Sequence, residues 1–373
     1  MDLKSLSTPA LILDRAVVTR NTTRMAEKMA AHGIALRPHL KTAKSARVAE
    51  LATSGHDGAI TVSTLAEAEY FLDHGFSDIT YAVCVVPGKL AQAAALMKRG
   101  ADLKLLTDSV ETARAIADAD HGVTFKVLIE IDSGDARTGL LADAPSLIEI
   151  GKILNGAQSA ELGGVLTHGG HSYGADDVDG IKRIAEDERG AVVEAAARLR
   201  QAGLPCPTVS AGSTPTAVHG ETYDGLTEMR PGVFVFFDLD QLARDACNHE
   251  DLALSVLASV VSHNRHIGQI VIDAGALALS KDISANERWP QVGYGSVCDP
   301  DSMEPLEGLN VAKVSQEHGV IPVTGEDDYA RLPVGSLVRV LPNHACITAA
   351  AYDRYHVVEG TQIVDEWDRV NGW

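Results

Sequence analysis

Hydrophobic positions in the first two thirds of the chain come in short runs that alternate with amphipathic stretches. Runs of this kind predict strands, and the stretches of helical period between them predict helices. The predicted strands are 34–36, 59–63, 79–83, 103–106, 124–131, 162–168, 208–210 and 228–236. Alternating strands and helices favour a parallel sheet, and eight strands predict a closed (β/α)8 barrel of about 240 residues. An open doubly wound sheet is the alternative, and the strand count favours the barrel.

The pattern changes after Arg244. Apolar runs at 255–261, 267–272, 308–315, 319–323, 336–341 and 355–359 follow one another with turn residues between them and little helix. Such a succession predicts a mainly β domain. We therefore predict two domains, a barrel of residues 13–244 and a β domain of residues 245–373 that residues 1–12 join.

Composition narrows the class of protein. The 373 residues are 45% hydrophobic and 22% charged, which is typical of a globular chain with a sizeable core. The net charge of −19 argues against a nucleic-acid partner or an anionic membrane surface. The five cysteines are scattered and odd in number, no signal peptide is visible, and no apolar run reaches the ~18 residues of a membrane span. We expect a cytoplasmic protein with free thiols.

The stretch Arg37-Pro38-His39-Leu40-Lys41 carries the first candidate for chemistry. Pro38 disfavours helix at Arg37, so Lys41 follows the end of a predicted strand. Barrel enzymes keep their reactive groups at that end of the strands. The alternative is a solvated surface lysine, which is the usual place for a lysine.

Three further strand ends carry polar groups. Gly212-Ser213-Thr214 after predicted strand 7 offers N–H groups and hydroxyls that suit a phosphate, although a simple turn with a helix cap has the same composition. Arg137 is an anion partner or a solvated loop residue, and His168 is a core histidine or a cofactor contact. A lysine, a phosphate cradle, an arginine and a histidine at one barrel mouth together describe a pyridoxal phosphate pocket.

The sequence resembles the alanine-racemase-like enzymes that use pyridoxal phosphate, and within them the D-serine dehydratase and D-threonine aldolase group. The resemblance spans almost the whole chain. Its motifs are Thr8-Pro9-Ala10, Arg37-Pro38-His39-Leu40-Lys41-Thr42, Glu130-Ile131-Asp132, Gly212-Ser213-Thr214-Pro215, Arg230-Pro231-Gly232, Ile272-Asp273-Ala274-Gly275, Leu277-Ala278-Leu279-Ser280, Glu317-His318-Gly319 and Pro342-Asn343-His344-Ala345-Cys346. It implies a barrel with a β domain, and a homodimer whose active sites lie near the interface.

The resemblance also implies roles for single residues. Lys41 would be the Schiff-base lysine, His168 would lie against the cofactor ring as the second catalytic residue, and Arg137 would contact the phenolic oxygen of the ring. The phosphate would be bound by Gly212, Ser213 and Thr214, with backbone N–H groups of Gly232 and Val233. Many relatives have a histidine where this chain has Ala43.

His344 and Cys346 form a His-x-Cys pair. In a strand both side chains would share one face and could hold Zn²⁺ or a similar divalent ion, whereas a buried cysteine beside a core histidine is the plainer interpretation. The resemblance favours the metal, because D-serine dehydratases of this group carry such a pair and the aldolases usually carry His-x-Asp. Zn²⁺ and, after it, Mn²⁺, Co²⁺ or Mg²⁺ are the candidate ions.

The expected activity is that of a metal-assisted lyase on a D-amino acid with a β-hydroxyl, and a D-serine dehydratase that forms pyruvate and ammonia is favoured. A D-threonine aldolase that releases glycine and an aldehyde is the main alternative, with His171 or His318 as its base. An amino-acid racemase is a further alternative, but it needs no such metal pair. A non-catalytic pyridoxal phosphate carrier would resemble the barrel alone, so the additional β domain argues against that function.

Overall fold

The computed structural model describes residues 2–373, which form two compact units. One unit comprises Thr23–Gly232 with the last two residues. The other comprises the residues up to Thr22 and Val233–Asn371. None of the helices in the described chain is both long and apolar enough to cross a membrane.

The strands, in chain order, are β1 Ala10–Asp14, β2 Ala35–Leu36, β3 Ile60–Val62, β4 Asp78–Cys84, β5 Asp102–Thr107, β6 Phe125–Ile131, β7 Ala160–Thr167, β8 Thr208–Ala211, β9 Glu228–Met229, β10 Leu254–Asn264, β11 Gln269–Ile272, β12 Ser296–Cys298, β13 Pro305–Asn310, β14 Lys313–Val314, β15 Gly319–Pro322, β16 Leu337–Leu341, β17 Arg354–Glu359 and β18 Gln362–Asp368. The α-helices are α1 Arg15–Ala31, α2 Ala46–Ala52, α3 Leu65–Asp73, α4 Leu90–Lys98, α5 Val110–Ala117, α6 Pro145–Gly156, α7 Val178–Gln201, α8 Thr214–His219, α9 Leu239–Ala243, α10 Ala276–Leu279, α11 Glu326–Arg331 and α12 Ala345–Ala349.

The unit of residues 23–232 contains a sheet of eight parallel strands in the order β2-β9-β8-β7-β6-β5-β4-β3. Its two edge strands are joined just beyond β2, where Leu40 N–H donates to the carbonyl of Thr61 (2.9 Å) and Thr61 N–H donates to that of Pro38 (2.9 Å). This seam closes the sheet on itself. The predicted (β/α)8 fold with a separate mainly β part is confirmed.

A buried ion network lies where the barrel strands begin. Arg37 donates through Nε to Glu228 Oε2 (2.8 Å) and through Nη1 to Asp78 Oδ1 (2.6 Å). Lys104 Nζ also donates to Asp78 Oδ1 (2.5 Å), and Glu228 Oε1 accepts from the hydroxyl of Ser210 (2.6 Å). Burial alone would lower the pKa of Arg37, but the two carboxylates outweigh it and raise that pKa. The Arg37–Glu228 contact is therefore a buried ion pair at the N-terminal end of the barrel, the end that serves stability in this fold.

We expect Glu228→Ala to lower the free energy of unfolding by about 3–5 kcal/mol, because it leaves the buried Arg37 guanidinium without one of its two carboxylates. Urea denaturation followed by circular dichroism measures the change. Glu149→Ala is the matched control, since Glu149 pairs with Arg114 at 2.8 Å with half or more of both side chains exposed. That control should change the free energy by less than about 1 kcal/mol. Equal effects of the two variants would contradict a stabilising role for the buried pair.

The other unit is built on a ten-stranded sheet whose main path is β13-β12-β16-β10-β1-β17-β18. β1 enters it between β10, to which it is antiparallel, and β17, to which it is parallel. Leu3, Ala10, Ile12, Leu257 and Val358 pack together on this sheet as a buried core. Strands β12 and β18 were not predicted, and the predicted strand 308–315 is divided between β13 and β14.

The predicted strand 228–236 is wrong beyond its second residue. β9 ends at Met229, and Val233–Val235 form a 3-10 turn. Pro231 has no N–H to continue a ladder, and a Cβ on Gly232 would lie 2.9 Å from the carbonyl oxygen of His39. The aromatic run that follows is buried, so its apolar character gave a strand-like pattern where the chain is helical.

Candidate active site

Lys41 lies at the C-terminal edge of the barrel strands, on a segment held from both sides. The N–H groups of Arg37 and His39 donate to the carbonyls of Met229 and Pro231 on one side (2.9 and 2.8 Å), and the seam with Thr61 holds the other. Between this segment and α2, Thr42 and Ala43 are fully buried. The backbone that carries Lys41 is thus fixed, while the side chain itself is exposed to a cavity.

This cavity has a volume of about 420 Å³ and contains three of the predicted site residues, Lys41, Arg137 and His168. His39, Cys84, Glu130 and Arg230 also line it. The structure therefore brings together the lysine, the arginine and the histidine that the sequence placed on different strand ends.

His168 follows β7 and is held as a neutral ring. Its Nδ1 lies 2.9 Å from the carbonyl oxygen of Gly212, and because a carbonyl only accepts, Nδ1 carries the proton. Burial, and then the charge of Lys41, lower the pKa of His168 to about 3. At neutral pH an uncharged imidazole is thus available to lie against a flat cofactor ring.

His39 is a second neutral imidazole in the cavity wall. Its Nε2 lies 3.0 Å from the hydroxyl of Ser63, and burial together with Lys41 holds its pKa well below the usual range. The close approach of Gly232 to His39 leaves no room for a side chain at that position. The predicted contact residue Gly232 therefore belongs to the same side of the site as Lys41.

Arg137 follows a left-handed residue, Ala136 (φ 53°), in the loop after β6. Its side chain is 59% exposed and lies 3.6 Å from the carboxylate of Asp135. It reaches the cavity wall and remains solvated.

The predicted phosphate turn is buried, and two of its N–H groups are engaged within the protein. Gly212 N–H donates to Glu188 Oε1 (2.9 Å), and Ser213 N–H donates to the hydroxyl of Thr216 (3.0 Å) in a capping box at the start of α8. The described residues that line the cavity do not include Gly212, Ser213 or Thr214. Gly212 contacts a lining residue, because its carbonyl accepts the hydrogen bond from His168. Val233 begins the 3-10 turn of the other unit.

Arg230 is a site residue that the sequence argument missed. It is 4% exposed, and its Nη1 and Nη2 donate to the Ser210 hydroxyl (2.5 Å) and the Thr167 carbonyl (2.6 Å). Its Nε has no hydrogen-bond partner within the described chain, although the residue lines the cavity. Burial lowers the pKa of Arg230 to about 10, so the guanidinium is still charged at neutral pH. The Arg230-Pro231-Gly232 motif, which directly follows β9, was the available signal.

Cys84, Asp108 and Glu130 place a thiol and two carboxylates within 4.8 Å of one another. The Cys84 thiol donates to Glu130 Oε2 (3.0 Å), and Asp108 accepts the N–H of Gly139 (2.9 Å). Burial and the two carboxylates raise the pKa of Cys84, so the thiol keeps its proton. The group is satisfied internally, and two of its members, Cys84 and Glu130, line the cavity.

His344 and Cys346 belong to the other unit, and the strand predicted for them is wrong. β16 ends at Leu341, and His344 is the N-cap of the short helix α12. The cause is tertiary, because Asp238 Oδ2 accepts the N–H of Ala345 (2.9 Å) and so caps α12 from a distant part of the chain. The two side chains nevertheless meet, since the Cys346 thiol group and the His344 ring are hydrogen-bonded at the first turn.

Asp282 fixes the ring of His344. Its Oδ2 lies 2.9 Å from Nδ1, so Nε2 is the ring nitrogen that Asp282 does not hold. Burial lowers the pKa of His344, but Cys346 and Asp282 outweigh it and raise that pKa to about 11. The hydrogen bond to His344 lowers the pKa of Asp282 to about 2. Cys346 and Asp282 are thus the two groups that favour a positive charge at this imidazole.

Comparison with known proteins identifies the family to which both parts of the chain are similar. Residues 13–240 match the family model described as alanine racemase, N-terminal domain, and residues 253–358 match the putative serine dehydratase domain. D-threo-3-hydroxyaspartate dehydratase of Delftia sp. is 45% identical over 100% of this chain and 99% of its own, and D-serine dehydratase of Dictyostelium discoideum is 30% identical over 100% and 98%.

Solved structures of D-threo-3-hydroxyaspartate dehydratase superpose with a TM-score of 0.96 at 44% identity. They cover 100% of this chain and 97% or 100% of their own. They include a His-to-Ala variant and a Cys-to-Ala variant in the metal-free form, and the two substituted positions are separated by one residue.

The chain belongs to the alanine-racemase-like family of pyridoxal phosphate enzymes. Within that family it is a lyase, as its dehydratase domain and its similarity to characterised dehydratases show. The predictions of family, enzyme class and cofactor are confirmed.

Proposed function

We propose that this protein is a divalent-metal-assisted dehydratase of D-3-hydroxy amino acids, with D-serine and D-threo-3-hydroxyaspartate as its substrates. Water is eliminated across Cα and Cβ, and hydrolysis of the product gives a 2-oxo acid and ammonia. The observation that carries the proposal is the His344–Cys346 pair with Asp282 behind the imidazole. The substituted histidine and cysteine of the similar dehydratase have the same spacing.

The cavity fits pyridoxal phosphate. Lys41 offers the amine for covalent attachment, the neutral ring of His168 offers a flat contact, and Arg230 Nε is a buried donor without a partner in the described chain. When bound, the cofactor stabilises negative charge at the substrate Cα. We assign the removal of the α-proton to the Lys41 amine.

The imidazole and thiolate of His344 and Cys346 fit Zn²⁺ or another divalent ion of intermediate softness. Held by these two residues, such an ion would supply Lewis-acid chemistry at the β-hydroxyl of the substrate. Asp282 holds the ring with Nε2 available and increases its basicity as a ligand. The chain's own contribution is thus a donor pair whose imidazole is oriented before any ion binds.

Product analysis tests the proposal. The purified enzyme is incubated with D-serine, D-threo-3-hydroxyaspartate and D-threonine separately, and products are identified by mass spectrometry. We expect pyruvate from D-serine and oxaloacetate from D-threo-3-hydroxyaspartate, each with one equivalent of ammonia. Glycine with an aldehyde and no 2-oxo acid would contradict the proposal in favour of an aldolase. Conversion of D-alanine to L-alanine would indicate a racemase.

We also propose a cytoplasmic homodimer. None of the five cysteines forms a disulfide in the described part of the chain, which suits a reducing compartment, and the resemblance to alanine-racemase-like enzymes supports a dimer. Light scattering coupled to size-exclusion chromatography measures the mass in solution. A monomer mass at micromolar concentration would contradict the dimer.

We expect Asp282→Asn to weaken metal affinity by about 10–100-fold, because the carboxylate that orients and polarises His344 is lost. Titration of the metal-free protein with Zn²⁺ or Co²⁺, followed by calorimetry and by the thiolate–Co²⁺ absorption band, measures this without turnover. Asp327→Asn is the control, since Asp327 is an exposed residue of the same unit. Unchanged affinity in Asp282→Asn would remove this carboxylate from the metal site.

A further inference from the structure

Glu188 is a buried acid on helix α7 that no step of the proposed reaction uses. It is 1% exposed. A single oxygen, Oε1, accepts two backbone N–H groups, that of Gly169 at 2.5 Å and that of Gly212 at 2.9 Å. Gly169 lies in the turn after β7 and Gly212 in the turn after β8. One side chain thus connects two of the turns that form the barrel mouth.

A carboxyl group in this place is costly unless its oxygens are satisfied. Burial raises the pKa of Glu188, while a hydrogen bond to Thr216 and the two backbone donors oppose that rise. Thr216 is the residue whose hydroxyl accepts the N–H of Ser213. Glu188 therefore reaches both ends of the predicted phosphate turn, through Gly212 at its start and through Thr216 just after it.

Gly212 is restrained from both of its peptide groups. Its N–H is held by Glu188, and its carbonyl accepts from His168 Nδ1 at 2.9 Å. Its φ of 129° is accessible to glycine, and a Cβ would lie 2.7 Å from the backbone nitrogen of Arg230. With the Gly212 N–H directed toward Glu188, the direction in which the chain enters Ser213 and Thr214 is fixed.

The turn after β7 is restrained by the same oxygen. A Cβ on Gly169 would lie 3.0 Å from the Glu188 carboxyl carbon, so the backbone packs directly on this group. His168, which precedes Gly169, supplies the neutral ring of the cavity. The ring contact and the phosphate turn consequently share one anchor behind the site.

We infer that Glu188 is a positioning residue that shapes the Gly212–Thr214 turn for the phosphate group of pyridoxal phosphate without contacting the cofactor itself. This inference rests on the proposed function, in which the cavity holds pyridoxal phosphate, and on the phosphate role that the resemblance implies for this turn. We expect the loss of Glu188 to weaken binding of the phosphate more than binding of the ring, because Glu188 holds the Gly212 N–H of the turn itself, whereas it holds the N–H of Gly169 and not His168 directly. A comparison of the affinities for pyridoxal phosphate and for pyridoxal, which lacks the phosphate, can therefore detect this role.

The test compares affinities for pyridoxal phosphate and pyridoxal in the full-length apoprotein, by absorbance and fluorescence titration. Glu188→Ala removes the acceptor for both N–H groups, and we expect the preference for pyridoxal phosphate over pyridoxal to fall at least about tenfold. Glu188→Gln keeps Oε1 in place and should retain the preference within about threefold. Glu194→Ala, an exposed glutamate on the same helix, is the control and should match the native protein.

Separate outcomes overturn the inference and the proposed function. A Glu188→Ala variant that loses affinity for both ligands in the same proportion, or a Glu188→Gln variant that loses as much preference as Glu188→Ala, would overturn the positioning role. A native protein without any preference for pyridoxal phosphate would instead reject the phosphate assignment of the turn. If Glu188→Ala does not fold, Glu188→Asp is tested by the same criteria, because it keeps the carboxyl group on a side chain that is one methylene shorter.

Discussion

Replacement of Lys41 by alanine is expected to abolish turnover, with a loss of at least about 10³-fold in kcat for every substrate. We assign to this amine both the attachment of pyridoxal phosphate and the removal of the α-proton, so no other side chain replaces both roles. The backbone around it is held by Leu40, Thr61 and Met229 and does not involve the Lys41 side chain. The variant should therefore fold like the native protein. Steady-state kinetics and circular dichroism measure the two expectations.

The covalent attachment is checked on the native protein by borohydride reduction, proteolysis and mass spectrometry of the peptides. The pyridoxyl group should appear on Lys41 and not on Lys44, which pairs with the buried Glu67 at 3.2 Å. Lys98→Ala, at an exposed helix end, is the control for kinetics and should retain full activity. A label on another lysine, or a Lys41→Ala variant that still binds the cofactor covalently, would refute the assignment.

The second large effect is expected at the His344–Cys346 pair. Cys346→Ala should reduce kcat by about 10²–10³-fold, because Lewis-acid stabilisation of the departing hydroxyl is worth several kcal/mol. The affinity for pyridoxal phosphate should change much less, since the ion acts on the substrate and not on the cofactor ring. Metal content by atomic emission, cofactor titration and kinetics on one preparation separate these quantities.

Chelation of the native enzyme gives an independent measure of the same effect. Treatment with a strong chelator should lower activity to the level of the Cys346→Ala variant, and added Zn²⁺ or another divalent ion should restore it in the native protein only. Cys247→Ala, a buried cysteine of the same unit, is the matched control. Full activity after complete metal removal would rule out a catalytic ion.

Much of the fold could be predicted because it depends on local pattern. Each barrel strand is a short apolar run between amphipathic helices, and Pro38 and Gly33 mark where elements end around Lys41. The error at 228–236 has a local cause, since a buried aromatic run looks the same whether it is extended or wound into a 3-10 turn. In the β unit, the unpredicted strand β12 has only three residues, and the mostly exposed edge strand β18 carries too little apolar alternation to be recognised.

The site was predictable only where a residue stands at a strand end. Lys41, Arg137 and His168 met that condition and line one cavity. Arg230 and Cys84 also stand at strand ends, but their significance comes from partners on other strands, which the sequence does not reveal. Glu188 is one of several acids along α7, and no sequence pattern distinguishes it from its exposed neighbours.

The His344–Cys346 pair shows the limit of periodicity arguments. The pair was singled out on the assumption of a strand, whereas the two residues lie at the start of a helix whose first N–H, that of Ala345, is accepted by Asp238 Oδ2. That contact joins residues more than a hundred positions apart. Only the folded chain reveals it.

The closing seam of the barrel has a consequence for heat resistance. The two hydrogen bonds between Pro38–Leu40 and Thr61 end one residue before Lys41. A ligand bound both to Lys41 and to the opposite strand ends would connect the two sides of this seam. A ligand that binds only the folded state raises the melting temperature. The holoenzyme should therefore outlast the apoprotein on heating, and amide exchange at Leu40 and Thr61 should slow first when the cofactor is added.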